Sequence, residues 1–353
     1  MSRLPLIYAL HSSNLYGTER MALATAAGLA DEFDPLILAP PGPVSGAAIR
    51  MGLRSQTFAS AGEFVRLIRP VFAQSTSIAL IATGVLHSVA AIGLNALYRR
   101  RLSHLHVVHG GTDERLSYGR KKLLNRSSAV LVAVSQFVKQ RLIANGTRDH
   151  KIRVIENFLT EDRVKECPRR APFGGAVTRR AVVISRIDPI KRVDLLLDAL
   201  DREPALKSMQ VRVLGTGWEL EALRGRAQHT HPNVTFAGFV NDIETELAGS
   251  DLLIHLCPEE PFGLAIVEAM AANVPVLVPD RGGASSLVEP GTTGFRFRSN
   301  DSASLAVKLL DIFRATPAEM NSIVERARSL FESRFSPRAR INDYRVLLEE
   351  GMA

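Results

Sequence analysis

The chain has two cysteines in 353 residues, Cys167 and Cys257, with no Cys-x-x-Cys spacing. That excludes a disulfide framework and a thiolate zinc site, and it suits a reducing compartment. Aromatic residues make up 6% of the chain with one tryptophan, and neither a stacking motif nor a zinc-finger spacing supports nucleic acid as a partner. No two aspartates stand two apart, so there is no Asp-x-Asp metal site, and no metal or cofactor is expected. The full Gly-x-Gly-x-x-Gly turn of a nicotinamide site is missing from both halves. Gly215-Thr216-Gly217 continues as Trp218-Glu219-Leu220. Leu4–Leu10 is too short for a signal peptide and lacks a small-residue cleavage site, so it reads as a first strand. One run, residues 78–98, has the length of a membrane span and is followed by Arg99, Arg100 and Arg101. Thr83-Gly84 interrupts it, and His87, Ser88 and Asn95 are polar. The expectation is therefore a buried strand over 75–82 and a helix over 87–101.

What is present is ordinary for a globular protein, with 46% hydrophobic and 23% charged residues. The length favours two domains. Charge is unevenly distributed: residues 1–160 carry a net +10 and residues 161–353 a net −2. A basic first half suits an anionic partner, such as phospholipid or a phosphorylated acceptor.

Apolar runs alternate with helical patterns from end to end. The first run feeds the polar loop His11–Arg20, then an Ala-rich helix over 21–29, as in the first unit of a doubly wound domain. Later runs at 35–39, 55–58, 105–108, 129–134 and 151–155 continue the series. The segment 63–72 is amphipathic and reads as an ordinary helix ahead of a membrane-surface one. Residues 160–178 have linker composition. Alternation restarts at Ala181–Ser185 and runs through 210–214, 233–236, 251–256 and 274–278. Residues 302–349 are helical and broken at Ser336-Pro337.

The most informative stretch is His255–Ala271. A short apolar run is followed by Pro258-Glu259-Glu260-Pro261-Phe262-Gly263 and then a helix with Leu264, Val267, Glu268 and Ala271 on one face. Pro261 suits a first helical turn. Gly263 allows close approach to the backbone. The unpaired N–H groups of that turn favour an anion. Glu260 and Glu268 flank the turn as acceptors for hydroxyls. An anion between hydroxyl acceptors describes a sugar nucleotide.

Glu260-x7-Glu268 with Phe-Gly after the first Glu resembles the signature of retaining glycosyltransferases of the GT-B fold. This large group, family 4, includes sucrose and trehalose-phosphate synthases and bacterial envelope glycosyltransferases. The resemblance implies two doubly wound Rossmann-like α/β domains facing a central cleft. They would comprise an acceptor domain over 1–165, a nucleotide-sugar domain over 178–335 and a last helix, 336–353, crossing back to the first. It also assigns roles. Glu260 and His109 contact the donor sugar, and Glu268 contacts the ribose. Arg186 and Lys191 resemble the family's diphosphate pair. Gly17 stands in a loop similar to a Gly-Gly-x-Glu loop, with Tyr16 where the first Gly is usual. Gly215 lies near the nucleotide, the backbone at Val240 faces the base, and Phe262, Gly263 and Leu264 line the substrate.

The implied activity is metal-independent, retaining transfer of a sugar (a hexosyl group) from a nucleotide diphosphate sugar to a hydroxyl acceptor on a glycan or lipid. The setting would be bacterial glycan or glycolipid synthesis in the cytoplasm, at the inner face of an anionic membrane. Two other classes stay open: a sugar-nucleotide epimerase or hydrolase on the same fold, and a non-catalytic membrane-associated relative. The first would need further carboxylates, for which Glu19 and Asp113 are the N-terminal candidates.

Overall fold

The computed structural model describes residues 3–111, 113–174 and 180–352. The chain forms two compact units, Met1–Phe158 with Pro337–Ala353, and Leu159–Ser336.

The first unit holds seven strands: β1 Leu4–Ala9, β2 Phe33–Ala39, β3 Arg54–Thr57, β4 Ser77–Ala82, β5 Arg101–Val108, β6 Val130–Ala133 and β7 Ile152–Val154. Their order is β3-β2-β1-β4-β5-β6-β7, with each neighbouring pair parallel. The chain reverses its direction of travel across the sheet between β1 and β4, where Tyr8 lies beside Ile81. Loops at such a switch point leave a crevice beyond the strands' carboxyl ends, the usual ligand position in open α/β sheets.

One face of this sheet is closed by the helix Ala61–Gln74, whose Phe64, Ile68 and Phe72 are fully buried beside Ile78 and Leu80. The amphipathic stripe read from the sequence is therefore core, and its burial is worth roughly 2 kcal/mol per side chain. The apolar run 78–98 divides into β4 and the helix Val85–Tyr98. Among the described residues no helix is long and apolar enough to cross a membrane.

The last helix, Pro337–Glu350, packs on this unit. Arg345 pairs with Glu32 at 2.8 Å, and Ile341 lies so close to Gly28 that a Cβ there would meet it.

The second unit repeats the plan with β8 Arg180–Ile184, β9 Gln210–Leu214, β10 Val234–Gly238, β11 Leu252–Ile254, β12 Val276–Pro279 and β13 Phe295–Phe297. Its order is β10-β9-β8-β11-β12-β13, again all parallel. The switch point falls between β8 and β11, with Val182 beside Leu253.

The stretch of linker composition does not hang between the units. Arg170 donates to Asp251 at 2.7 Å, and the Phe173 backbone exchanges hydrogen bonds with the Asn321 side chain. Residues 159–174 thus go with the second unit, because their charges find buried partners there. Both cysteines are free.

Candidate active site

In the first unit the residues at the carboxyl edge are mostly neutral. The His11 backbone N–H donates to Thr83 Oγ1 at 3.1 Å, and its Nδ1 lies 2.8 Å from the same oxygen, which ties β1 to β4 across the switch point. His109 follows β5, and its Nε2 is buried without a hydrogen-bond partner. Burial, reinforced by His11, pushes the His109 ring down to about 3. At neutral pH it is an uncharged imidazole, suited to a hydroxyl and unsuited to neutralising a phosphate.

Gly17 is not in a loop. It opens the helix Gly17–Gly28, a turn earlier than the sequence pattern suggests. The Tyr16 backbone N–H donates to the Glu19 carboxylate at 2.9 Å, so Glu19 closes its own helix end. Asp113 does the same for the short helix Glu114–Ser117 by accepting the Leu116 N–H at 2.8 Å.

In the second unit the loops after β8 and β11 meet. Lys191 Nζ lies 2.7 Å from Glu260 Oε2, both side chains being only 16% exposed. His255, just after β11, places its Nε2 3.6 Å from the same carboxylate oxygen. Burial works to raise the Glu260 carboxyl, but Lys191 and His255, with an N–H from Phe262, outweigh it and hold the group below the usual carboxylate range. Lys191 is shifted the other way: burial opposes its charge, and Glu260 more than restores it. Burial pushes His255 down to about 4 despite Glu260, so this ring is neutral at physiological pH.

Arg186 takes a different position. It is 59% exposed and pairs with Asp188 at 2.9 Å. The two cations expected as a pair are therefore one buried and one solvated, and the buried one is already held by Glu260.

The helix after this loop begins at Leu264 and runs to Ala271, with Gly263 as its N-cap at φ +103°. That value lies in the left-handed region that a Cβ disfavours, which explains the glycine. Pro261 is not in the first helical turn, as expected from sequence, but in the loop before it. Its carbonyl faces Gly283, where a Cβ would collide with it. Gly283 N–H donates to the Glu260 backbone oxygen at 2.6 Å, so the turn after β12 clamps the loop that carries Glu260. The Phe262 ring is buried edge-on to Phe335 at 6.0 Å, which leaves its backbone, not its ring, as the part available to a substrate.

Gly215, at φ +135°, has a packing reason to be glycine: a Cβ would collide with the Ser185 carbonyl. The loops after β8 and β9 are also joined by Ile187 N–H donating to Thr216 O at 2.9 Å. Val240 follows β10 and is half-buried.

Glu268, five residues beyond the Gly263 N-cap, is buried at 8% exposure and paired with Arg163 at 2.7 Å. Arg163 also pairs with Glu244. The sequence reading did not single out Arg163, Glu244 or His255. Only the paired Glu residues pointed toward this region, and nothing local to Arg163 marks its partners, 81 and 105 positions away.

Comparison with known proteins gives the family and the fold. A family model described as Glycosyltransferase Family 4 matches residues 16–163, and one described as Glycosyl transferases group 1 matches residues 178–330. The N-acetyl-alpha-D-glucosaminyl L-malate synthase of Bacillus anthracis is 22% identical over 273 residues, which is 74% of this chain and 71% of that protein. The phosphatidyl-myo-inositol mannosyltransferase of Mycobacterium leprae is 30% identical over 165 residues, 45% of this chain and 44% of that protein. Among solved structures, Anabaena Alr3699/HepE in complex with UDP superposes with a TM-score of 0.83 at 21% identity, covering 98% of this chain and all of that one (100%). With a glycosyltransferase model on each of two Rossmann-like units, the chain is a glycosyltransferase of the GT-B fold.

Proposed function

We propose that the protein transfers a sugar from a nucleotide diphosphate sugar to a hydroxyl acceptor, with retention at the anomeric carbon and without a metal. The observation that carries this reading is the buried Lys191–Glu260 pair at the switch point of the second unit, one turn before a helix N-terminus. A cation, a carboxylate and free N–H groups in one crevice match a diphosphate joined to a hydroxylated ring. The solved relative Alr3699/HepE holds UDP in one structure and UDP-glucose in another, which supports a nucleotide sugar as donor.

In this reading Lys191, Arg186 and the N–H groups at Gly263 and Leu264 stabilise the leaving diphosphate as its charge builds. Glu260 and neutral His109 accept and donate hydrogen bonds to the donor sugar. Glu268 holds the ribose, while the turn at Gly215 and the backbone at Val240 hold the nucleoside. Phe262 contributes through its backbone. Gly17, at the first helix's N-terminus, belongs to the acceptor side. The bond from the anomeric carbon to the diphosphate oxygen breaks, and the bond to the acceptor oxygen forms on the same face. The acceptor proton passes to a phosphate oxygen.

An epimerase or hydrolase on this fold would need further acid–base carboxylates in the first unit. Glu19 and Asp113 are both committed to helix caps, which favours transfer. The presence of Lys191, Glu260, Arg186 and Glu268 together favours an active enzyme over a non-catalytic relative.

The acceptor is proposed to be a bacterial glycan or a lipid-linked group, reached at the cytoplasmic face of an anionic membrane. The net +10 of residues 1–160 supports that placement. So do Leu86, Val89 and Leu97, exposed on the helix Val85–Tyr98.

The test is the anomeric configuration of the product, read by NMR with EDTA present. The α-configured donor should give an α-linked product at an undiminished rate. A β-linked product, or activity abolished by EDTA and restored by a divalent cation, would overturn the corresponding part of the proposal.

A further inference from the structure

The segment just after the crossing between units carries a short helix, Glu161–Glu166, whose Thr160 cap accepts the Arg163 N–H at 3.4 Å. From it Arg163 reaches two carboxylates of the same unit. Its Nη1 donates to Glu268 Oε1 at 2.7 Å. Its Nε donates to Glu244 Oε1 at 2.9 Å, and its Nη2 donates to that same oxygen. Glu244 is fixed in turn, because its helix, Ile243–Ala248, is capped by Asp242 accepting the Thr245 N–H at 3.0 Å. Side-chain exposures fall from 26% at Arg163 and 24% at Glu244 to 10% at Glu268.

A carboxylate this enclosed needs a counter-charge to stay ionised, and it needs a fixed neighbour to keep its oxygens aimed. Arg163 supplies both from a planar fork whose other edge is anchored on Glu244. We infer that Arg163 is a positioning residue for nucleotide binding, holding the Glu268 carboxylate oriented toward the ribose hydroxyls of the donor. The inference rests on the ribose role of Glu268 proposed above.

The experiment measures how strongly the protein prefers a ribonucleoside diphosphate over its 2′,3′-dideoxy form. The nucleotide is whichever of UDP, GDP and ADP binds wild type most tightly. Wild type should prefer the form with both hydroxyls, and Glu268→Ala should abolish the preference. R163M should cut the preference by about tenfold, the worth of one charge-assisted hydrogen bond, while affinity for the dideoxy form changes little. E244Q, which leaves the Glu268 contact in place and disturbs the fold less, should give a smaller loss in the same direction. A lowered melting temperature with an unchanged preference in both variants would make Arg163 a structural ion-pair partner only and overturn the inference. No preference in wild type, or one untouched in Glu268→Ala, would overturn the ribose reading itself.

Discussion

Lys191 and Glu260 are 69 positions apart in sequence and 2.7 Å apart in space. They sit on the loops after β8 and β11, where the second sheet changes direction. Each compensates the desolvation of the other, and together they place a fixed cation beside a fixed carboxylate at the switch point, where open α/β sheets usually take their ligands.

Removing one partner should therefore do two separable things. Lys191→Ala leaves a buried carboxylate unpaired and should cost about 3–5 kcal/mol of stability in the second unit. It should also lower transfer on the order of 10²–10³-fold, as loss of one charge-stabilising donor does. The double variant Lys191→Met/Glu260→Leu should recover most of the stability and none of the activity. Urea denaturation alongside a transfer assay checks both. Recovery of activity in the double variant would mean that the pair is structural.

Acid should destabilise the protein earlier than its carboxylates alone would. Burial pushes His87 and His255 down to about 4 and His104 and His109 to about 3, and holds His106 well below its ordinary value. These rings stay neutral when folded and take up protons when unfolded as pH falls through about 6.5. Stability is therefore complete above that pH and lost below it, by roughly 1.4 kcal/mol per ring for each pH unit until the folded value is reached. Glu260, whose carboxyl is depressed when folded, adds its own loss only below about pH 4.3. Lys191 is shifted upward, so its contribution holds until about pH 10.4 and fades above it. Melting temperature followed from pH 7.5 to 5 should fall steadily from near 6.5, and His109→Gln should flatten the slope by about one proton. A flat profile down to pH 5 would contradict the neutral-histidine account.

The alternation of apolar runs and helical patterns made both doubly wound sheets legible, because buried parallel strands leave a signature within a few residues. The paired Glu residues mark the candidate site by the same kind of local spacing. Contacts across long separations left no such trace. Lys191 reads as one of a phosphate-binding pair, and nothing near it in sequence marks Glu260 as its neighbour in space. Arg163 lay in a stretch whose prolines, glycines and charges read as linker. Gly17 read as loop because Tyr16 is not a usual cap residue, and the Glu19 carboxylate that accepts the Tyr16 N–H is visible only in three dimensions. Pro261 read as a helix start because the left-handed Gly263 that sets the true start cannot be told from any other glycine by sequence.

Gly283 is a packing glycine at the site. Gly283→Ala should displace residues 258–263 and abolish transfer, since the added Cβ meets backbone at Pro261 and Glu260 and not a flexible side chain. Gly225→Ala, where nothing lies within 4 Å, should leave activity intact. Circular dichroism and a transfer assay on the two variants check this. Normal activity in Gly283→Ala would show that the loop has slack to move.

The three arginines after residue 98 are not equivalent. Arg100 donates to the Phe72 and Ala73 carbonyls at 2.8 and 3.1 Å and so closes the helix Ala61–Gln74, whereas Arg99 and Arg101 are exposed. Arg100→Ser should lower the melting temperature of the protein. The double variant Arg99→Ser/Arg101→Ser should leave stability alone and weaken binding to vesicles rich in anionic lipid, as expected when surface cations are removed. Vesicle binding unchanged in the double variant would remove this face from the proposed membrane contact.

The most direct test of the assigned donor site is a thermal-shift screen of UDP, GDP, ADP and dTDP with their common sugars, wild type against Glu268→Ala. A shift with one nucleotide family that disappears in the variant is the predicted result, since a ligand that binds only the folded state raises its melting temperature. No shift with any donor, or one that Glu268→Ala leaves unchanged, would contradict the assignment of residues 255–271 as the nucleotide-sugar site.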